Sequence, residues 1–357
     1  MSTILFAGGG SLGPVTPLLA VAARLREKKK DLRMGWAGTD SGPERHIVEA
    51  AGIIFTTIPV AKLPRYASTK LLTAPVDYLR ARHAAARLLD AWHPRVIIAA
   101  GGFTAVPVIT EAVKRHIPCI AHQLDYTPGM SNRMAARHCR YVTTSFEYPV
   151  APFHTHGVMY HIPTPTRFTS FDLPGQAEAR ESFNLNPDRP TVLLMGGGQG
   201  AQSLNDAAPR IHATLPRGTQ IIHVTGKGKA NAAANDTNDY VVHELLDEQG
   251  MRNAYAAADV VISRAGIGAI SELAALQKAA ILIPLPNSPQ EENANQLGNA
   301  VITIHQSEPD WHQHAATIAT GLLADTAERV RLGRALHTAF PTDRGDTLAE
   351  IIISVLK

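Results

Sequence analysis

Short apolar runs punctuate the chain, and longer stretches of helical periodicity separate them. One series holds Thr3–Ala7, Leu32–Ala37, Val96–Ala100 and Tyr141–Ser145. A second holds Thr191–Met195, Gln220–Thr225, Tyr240–His243, Val260–Ser263 and Ala280–Pro284. Most are continuous rather than alternating, the pattern of strands buried on both faces in a helix-covered parallel sheet. The β-α-β-α order predicts a doubly wound α/β fold. The pattern opens twice, each time as strand, glycine-rich turn and amphipathic helix: ILFAGGGSLGPVTPLLAVAARL and VLLMGGGQGAQSLNDAAPRI. Two Rossmann-like domains are therefore expected. Between them PVAPF, HIPTPTRF and FDLPG are rich in proline, which lacks a backbone donor and restricts its neighbour. This places the linker near Pro163–Pro174. Ligands of such sheets bind at the carboxyl ends of the strands, so the active site is expected in a cleft that the two domains face.

A length of 357 residues suits two domains, and 45% apolar with 18% charged residues is an ordinary globular balance. The two cysteines, Cys119 and Cys139, form no CxxC pair, which argues against a zinc site or a disulfide framework. The first apolar run is too short for a signal sequence, and no run of about 18 apolar residues predicts a membrane-spanning helix. A net charge of +3 does not by itself point to nucleic acid, and the sixteen histidines show no HExxH spacing.

Candidate chemistry concentrates in the glycine turns. Gly8-Gly9-Gly10-Ser11-Leu12-Gly13-Pro14 joins a strand to a helix, where glycine lets backbone approach a ligand and helix N–H groups suit phosphate. Gly8, Gly10 and Gly13 have the GxGxxG spacing, but no acidic residue is assigned to the usual ribose position of a dinucleotide site, which disfavours a nicotinamide dinucleotide. Gly196-Gly197-Gly198-Gln199-Gly200-Ala201 repeats the arrangement. The most informative segment is ADVVISRAGIGAISELAALQKAAILIPLP. A buried strand ends at Ser263, and Ile267, Gly268 and Ala269 would offer backbone N–H groups to an anion. Glu272 follows one turn on, a poor phosphate ligand but a good acceptor for vicinal hydroxyls. Phosphate followed by ribose describes a nucleoside diphosphate; a helix-capping role for Glu272 is the alternative. Pro289-Gln290-Glu291-Glu292-Asn293-Ala294 reads as a loop suited to sugar hydroxyls, or as a solvated turn.

From Val60 to Arg95 the chain carries Lys62, Arg65, Lys70, Arg80, Arg82, Arg87 and Arg95 against Asp77 and Asp90, interleaved with Leu63, Tyr66, Leu71 and Leu72. A basic surface bearing apolar residues can dock on anionic lipid; a solvated helix face is the other reading.

Taken together these segments resemble the MurG family, which adds N-acetylglucosamine from UDP-GlcNAc to the lipid-linked muramoyl-pentapeptide of peptidoglycan. The resemblance covers nearly the whole chain. GGSLGPVTPLLAVA is similar to the family's GGTGGHxxPxLAxA, AAGGFTAVPV to GGYxSxP, AHQLD to its HEQN segment and PTPTR to GNPVR. GGGQGAQSLN is similar to GGSQGAxxLN, SRAGIGAISELAAL to RSGAxTxxElxAxG, and QEENA to QxxNA.

The resemblance implies a GT-B type α/β fold. Residues 1–164 would face acceptor and membrane, residues 165–341 would hold UDP-sugar, and a C-terminal helix in 342–357 would pack on the first domain. It implies donor contacts from Arg167, Gly198, Gln199, Leu246 (backbone to uracil), Ile267, Gly268, Ala269, Glu272 (ribose) and Gln290 (hexose). Gly10, Ser11, Leu12, Gly13 and Phe103 would face the acceptor. The partners would be UDP-GlcNAc, the undecaprenyl-linked muramoyl-pentapeptide and the anionic inner face of the membrane, with no nucleic acid, at the cytoplasmic face and peripheral. No cofactor is implied, and without a DxD motif a metal-independent, inverting transfer is expected.

Several family groups are replaced: the loop histidine by Pro14 and its paired glycine by Leu12, the HEQN glutamate by Gln123 and asparagine by Asp125, the GGY tyrosine by Phe103. Gly198 and Ala269 replace a serine and a threonine. With Pro14 in place of histidine, Asp125 is the first candidate for the base and His122 the second. Transfer to another glycolipid acceptor from a UDP-hexose, UDP-GlcNAc epimerisation, and UDP-sugar binding without catalysis are the alternatives.

Overall fold

The computed structural model describes residues 2–10, 12–40, 42–59, 70–197, 200–229 and 239–356. The chain divides into two compact units, Met1–Arg167 with Asp343–Lys357, and Phe168–Thr342.

The first unit contains β1 (Ser2–Ala7), α1 (Val15–Lys28), β2 (Leu32–Gly38), α2 (Glu44–Ala50), β3 (Ile54–Thr57), α3 (Lys70–Trp92), β4 (Val96–Ala99) and α4 (Ala105–Lys114). It continues with β5 (Cys119–Gln123), α5 (Met130–Ala136), β6 (Tyr141–Thr144), β7 (Val158–His161) and β8 (Thr164–Pro165). Its main sheet is parallel, in the order β3-β2-β1-β4-β5-β6-β7. The apolar runs are the central strands: Ile4, Leu5, Phe6, Ile97 and Ile98 have no exposure. Each such side chain contributes roughly 1.5–3 kcal/mol by leaving water.

The apolar positions Val15, Leu18, Val21, Ala22 and Leu25 put one face of α1 into this core. Near the other end of the chain, α13 (Asp346–Val355) belongs to the same unit and lies on α1. Gly345 approaches Val21 so closely that a Cβ there would sit 2.9 Å from its Cα. Arg24 Nε donates to Asp346 at 2.5 Å and Lys28 Nζ to Glu350 at 2.8 Å.

The second unit contains α6 (Gln176–Glu181), β9 (Thr191–Met195), α7 (Gln202–Thr214), β10 (Gln220–Val224), β11 (Tyr240–His243), α8 (Glu248–Ala257), β12 (Val260–Ser263) and α9 (Ile267–Ala275). It goes on through β13 (Ala280–Leu282), α10 (Pro289–Leu297), β14 (Ile302–Thr303), α11 (Trp311–Ala324) and α12 (Thr326–Ala339); β15 (Thr342–Asp343) spans the junction at which the chain returns to the first unit. Its parallel sheet runs β11-β10-β9-β12-β13-β14. Both sheets reverse direction beside their first strand, the arrangement that opens a ligand crevice at the strands' carboxyl ends.

Within the two main sheets the sequence pattern misses β3, β5, β7 and β14, and it also misses the two-residue strands β8 and β15. The run CIAHQ mixes polar with apolar residues although every side chain of β5 is buried. The short β7 is largely exposed at the sheet edge. The expected loop at Pro289–Ala294 is instead the start of α10. Ser288 caps it by accepting from Gln290 N, and Pro289 opens the first turn, where a missing N–H costs nothing.

Candidate active site

In the first unit the turns after β1 and β4 are in backbone contact. A Cβ on Gly102, whose φ is +90°, would lie 2.8 Å from both N and O of Gly9. Only glycine permits that approach. It places half-exposed Phe103 beside the Gly10–Gly13 turn; Leu12 is half-buried and Gly13 exposed on that turn. Asn132 Oδ1 lies 3.4 Å from the Cβ position of Gly101, which joins α5 and the end of β5 to the same place. The expected acceptor residues Gly10, Leu12, Gly13 and Phe103 are thus gathered at the strand ends. Ser11 lies outside the described residues.

Beneath the first turn sits Glu44, which the sequence reading passes over. It is fully buried. Its Oε1 accepts from Thr39 N at 2.8 Å and from Thr39 Oγ1 at 2.5 Å, and its Oε2 accepts from Gly10 N at 3.2 Å. A Cβ on Gly9 would overlap this carboxylate. The turn is glycine-rich in part to house an acid. The Gly10 N–H is thus engaged by Glu44. Val15 N and Thr16 N donate to Leu12 O, so the start of α1 is also internally bonded.

His122 is corrected as a catalytic base. It lies inside β5 with no exposure, and its Nδ1 is 2.9 Å from Thr143 Oγ1. Burial pulls its pKa down to about 4, so the ring is neutral but sealed from any substrate hydroxyl. Asp125 is half-buried just beyond the end of β5. Its carbonyl accepts from the Gln123 side-chain amide and, at 3.3 Å, from Tyr148 OH.

In the second unit β12 leads through Arg264–Gly266 into α9. Gly266 supplies no side-chain cap, as at the starts of α6, α7 and α11, whereas Asp247, Ser288 and Asp325 cap α8, α10 and α12. The first N–H groups of an α-helix have no intrahelical acceptor, so Ile267, Gly268 and Ala269 suit an anion. Gln290 Oε1 accepts from Leu285 N at 3.0 Å, and its Nε2 lies 3.8 Å from the Cβ position of Gly266. The Gln290 amide thus borders the α9 start. Glu272, 7% exposed, accepts from Tyr255 OH at 2.7 Å. Tyr255 meets buried Phe168 edge-on, with ring centroids 6.0 Å apart. Leu246 is half-buried in the loop before α8. Half-buried Arg167 closes the first unit, one residue before Phe168. Gly198 and Gln199 lie outside the described residues, while Gly200, with φ +65°, presses on Thr225 O too closely for a Cβ.

Two further residues hold the α9 turn. Arg264 is 5% exposed. Its Nη1 donates to Ile283 O (2.9 Å), Pro284 O (3.0 Å) and Gln306 Oε1 (3.0 Å), and its Nη2 to Ser203 Oγ (2.7 Å). Fully buried Asn293 donates to Ala265 O at 3.2 Å. Asn293 therefore anchors the turn and does not face a sugar, as the loop reading had it. An arginine set between a buried strand and a glycine turn was the available signal for Arg264.

The basic segment is only partly free for lipid. Residues 60–69, with Lys62, Leu63, Arg65 and Tyr66, lie outside the described residues, as do the side chains of Lys70, Leu71 and Leu72. Arg82 is bound to buried Glu111 at 2.7 Å, and Arg95 Nη2 donates to Leu356 O at 3.5 Å. Val76 and Leu79 are exposed beside Arg80 on α3. Among the described residues no helix is long and apolar enough to cross a membrane, and no group of three His, Cys, Asp or Glu is placed to hold a metal.

Two parallel α/β units, each with glycine turns leading into helices at its strand ends, give the chain a GT-B type architecture. Residues 4–144 match the glycosyltransferase family 28 N-terminal domain and residues 191–327 the glycosyltransferase family 28 C-terminal domain. A Nocardioides protein named UDP-N-acetylglucosamine–N-acetylmuramyl-(pentapeptide) pyrophosphoryl-undecaprenol N-acetylglucosamine transferase is 35% identical over 99% of this chain and 98% of its own. A relative of the same name from Lachnospira eligens is 36% identical over 84% of this chain and 83% of its own. The crystal structure of Acinetobacter baumannii MurG shares the fold with a TM-score of 0.72 at 22% identity, covering 99% of each chain. The chain belongs to glycosyltransferase family 28 and, within it, to the MurG family of N-acetylglucosamine transferases.

Proposed function

We propose that this enzyme transfers N-acetylglucosamine from UDP-GlcNAc to an undecaprenyl-linked muramoyl-pentapeptide. The observation that carries the reading is the near-full-length identity to transferases of that name. It is supported by a donor half-site in the second unit: the uncapped start of α9 for the diphosphate, Glu272 for ribose hydroxyls and Gln290 for the hexose.

In the transfer, the acceptor hydroxyl oxygen attacks the anomeric carbon from the face opposite UDP. The bond from that carbon to the phosphate oxygen breaks, and UDP leaves with the electron pair. The N–H groups of Ile267–Ala269 stabilise the developing charge on the leaving diphosphate. The hydroxyl proton passes to Asp125, a half-buried acid just beyond the end of β5 in the first unit. The catalyst works at the cytoplasmic face of the membrane, peripherally, with exposed Val76, Leu79 and Arg80 extending the basic and apolar stretch that precedes them.

The test is mass spectrometry of the product formed from UDP-GlcNAc and a short-chain lipid-linked muramoyl-pentapeptide, with and without EDTA. A gain of one N-acetylhexosamine in both arms is expected. UDP binding without any product would remove the assigned acceptor. In the same assay Asp125→Asn is expected to lower turnover by at least 100-fold, within the ~10²–10⁴ range of general base catalysis, with UDP affinity unchanged. Turnover within a few-fold of the parent would exclude Asp125 as the base.

A further inference from the structure

The turn that carries Asp125 is held by two side chains, one of them braced by a third. Gln123, 2% exposed at the end of β5, donates its side-chain amide to Asp125 O. A carbonyl can only accept, so this bond orients the Gln123 amide and turns its Oε1 away. That oxygen accepts from Asn132 Nδ2 at 2.6 Å, and the same Nδ2 also reaches His122 O at 3.3 Å. Asn132 is itself 5% exposed on α5. From beyond β6, Tyr148 OH donates to Tyr126 O at 2.7 Å and to Asp125 O at 3.3 Å. The Tyr148 ring stacks on Tyr126 at 4.9 Å and 22°, and Phe146 meets Tyr126 edge-on at 5.6 Å. Burial raises the Tyr148 pKa, and the neighbouring Tyr126 and Asp125 raise it further, so the phenol stays a donor across the working pH range.

We propose that Gln123, Asn132 and Tyr148 are positioning residues that fix the Asp125 turn for proton removal, and that the neutral amide at position 123 is required for it. This rests on the reading of Asp125 as the base. The requirement follows from donor chemistry. Glutamate, which the family's HEQN segment carries at this position, cannot when ionised donate to Asp125 O. It would repel that carbonyl and place a second negative charge beside Asp125. The Gln123 amide, with its nitrogen and its oxygen both engaged, holds a backbone turn without adding charge to it. Such support matters because a base misplaced by about 1 Å loses much of its effect.

The experiment uses the full chain, UDP-GlcNAc and the short-chain lipid-linked acceptor, with turnover followed across pH, the first unit's calorimetric unfolding transition as the control for folding, and UDP affinity as the control for the donor half-site. Tyr148→Phe removes one hydroxyl and keeps the ring stack. It is expected to lower kcat about tenfold with UDP affinity unchanged. Gln123→Glu is expected to lower kcat and to move the acidic limb of the pH profile upward, since a like charge disfavours the ionised form of Asp125. In an Asp125→Asn background, Tyr148→Phe should cause no further fall. Additive losses there would show that Tyr148 acts on something other than Asp125 and would overturn the proposal. So would kcat and pH profiles within twofold of the parent for both Tyr148→Phe and Gln123→Glu while Asp125→Asn is inactive; that result leaves the base assignment standing. Full activity in Asp125→Asn alone removes the base and the brace together, and is read separately from the other two.

Discussion

His122 and His223 each stand inside a parallel sheet with both faces covered. His223 lies between Tyr240 OH at 2.9 Å and Asn205 Oδ1 at 3.1 Å, and His122 bonds Thr143 Oγ1. Burial lowers both from 6.5 to about 4. The unfolded chain therefore takes up these protons at a higher pH than the folded one. The stabilising contribution is whole above pH 6.5 and is lost as the pH falls from there toward 4, on the order of 3 kcal/mol for each residue. Melting temperature should drop steeply between pH 7 and pH 4.5. His223→Gln, which keeps a donor and an acceptor, should flatten that dependence for the second unit even if its starting stability is lower. An unchanged slope by calorimetry would assign the acid sensitivity elsewhere. Neither role was visible in the sequence, where His122 reads as a chemical group in a polar run. Glu44 was hidden for a related reason. Its partner Gly10 is remote in the chain, and only the folded turn shows that the glycines make room for a carboxylate.

Elements were more legible than their anchors. Continuous apolar runs marked the central strands of both sheets because every side chain there is buried, and the glycine turns marked the strand ends. Failures came where burial and composition part company: β5 carries His122 and Gln123 into the core, and α10 opens with amides and acids that read as a loop. The Ser288-Pro289 pair was a usable start signal for that helix. On the donor side Glu272, Gln290 and the start of α9 were readable as motif residues, while Arg264 was not singled out. The cause is that its partners come from three separate segments. One guanidinium spreads over Ile283, Pro284, Gln306 and Ser203, and a lysine ammonium cannot reproduce that planar fork. Burial lowers Arg264 to about 10, so it still carries its charge at neutral pH. Arg264→Lys should destabilise the second unit by about 2–4 kcal/mol through unsatisfied buried carbonyls. It should also weaken UDP binding at least tenfold, because the turn into α9 loses its anchor. Urea unfolding and titration calorimetry separate the two effects. UDP affinity within twofold of the parent would reduce Arg264 to a fold-stabilising role.

On the scale of the whole molecule, the chain leaves the first unit at Arg167 and re-enters it at Asp343, so the second unit is an insertion within the first. The last helix is consequently a structural part of the first unit even though its sequence follows the second. Leu348, Ala349 and Ile352 of α13 have no exposure, and Leu356 is 6% exposed. The three larger side chains together represent several kcal/mol of apolar burial, at roughly 1.5–3 kcal/mol each. The Arg24–Asp346 and Lys28–Glu350 pairs lie at the surface and add little. Ending the chain after Thr342 should therefore act on one unit only. Two calorimetric transitions are expected for the full chain, since each unit has its own core. Truncation should lower one by more than 10 °C, or abolish it, and leave the other in place. The surviving transition should be the one that UDP raises, because the donor residues Glu272 and Gln290 belong to the second unit. Loss of both transitions, or of the UDP-raised transition alone, would show that α13 supports the donor unit and would contradict this division of the fold.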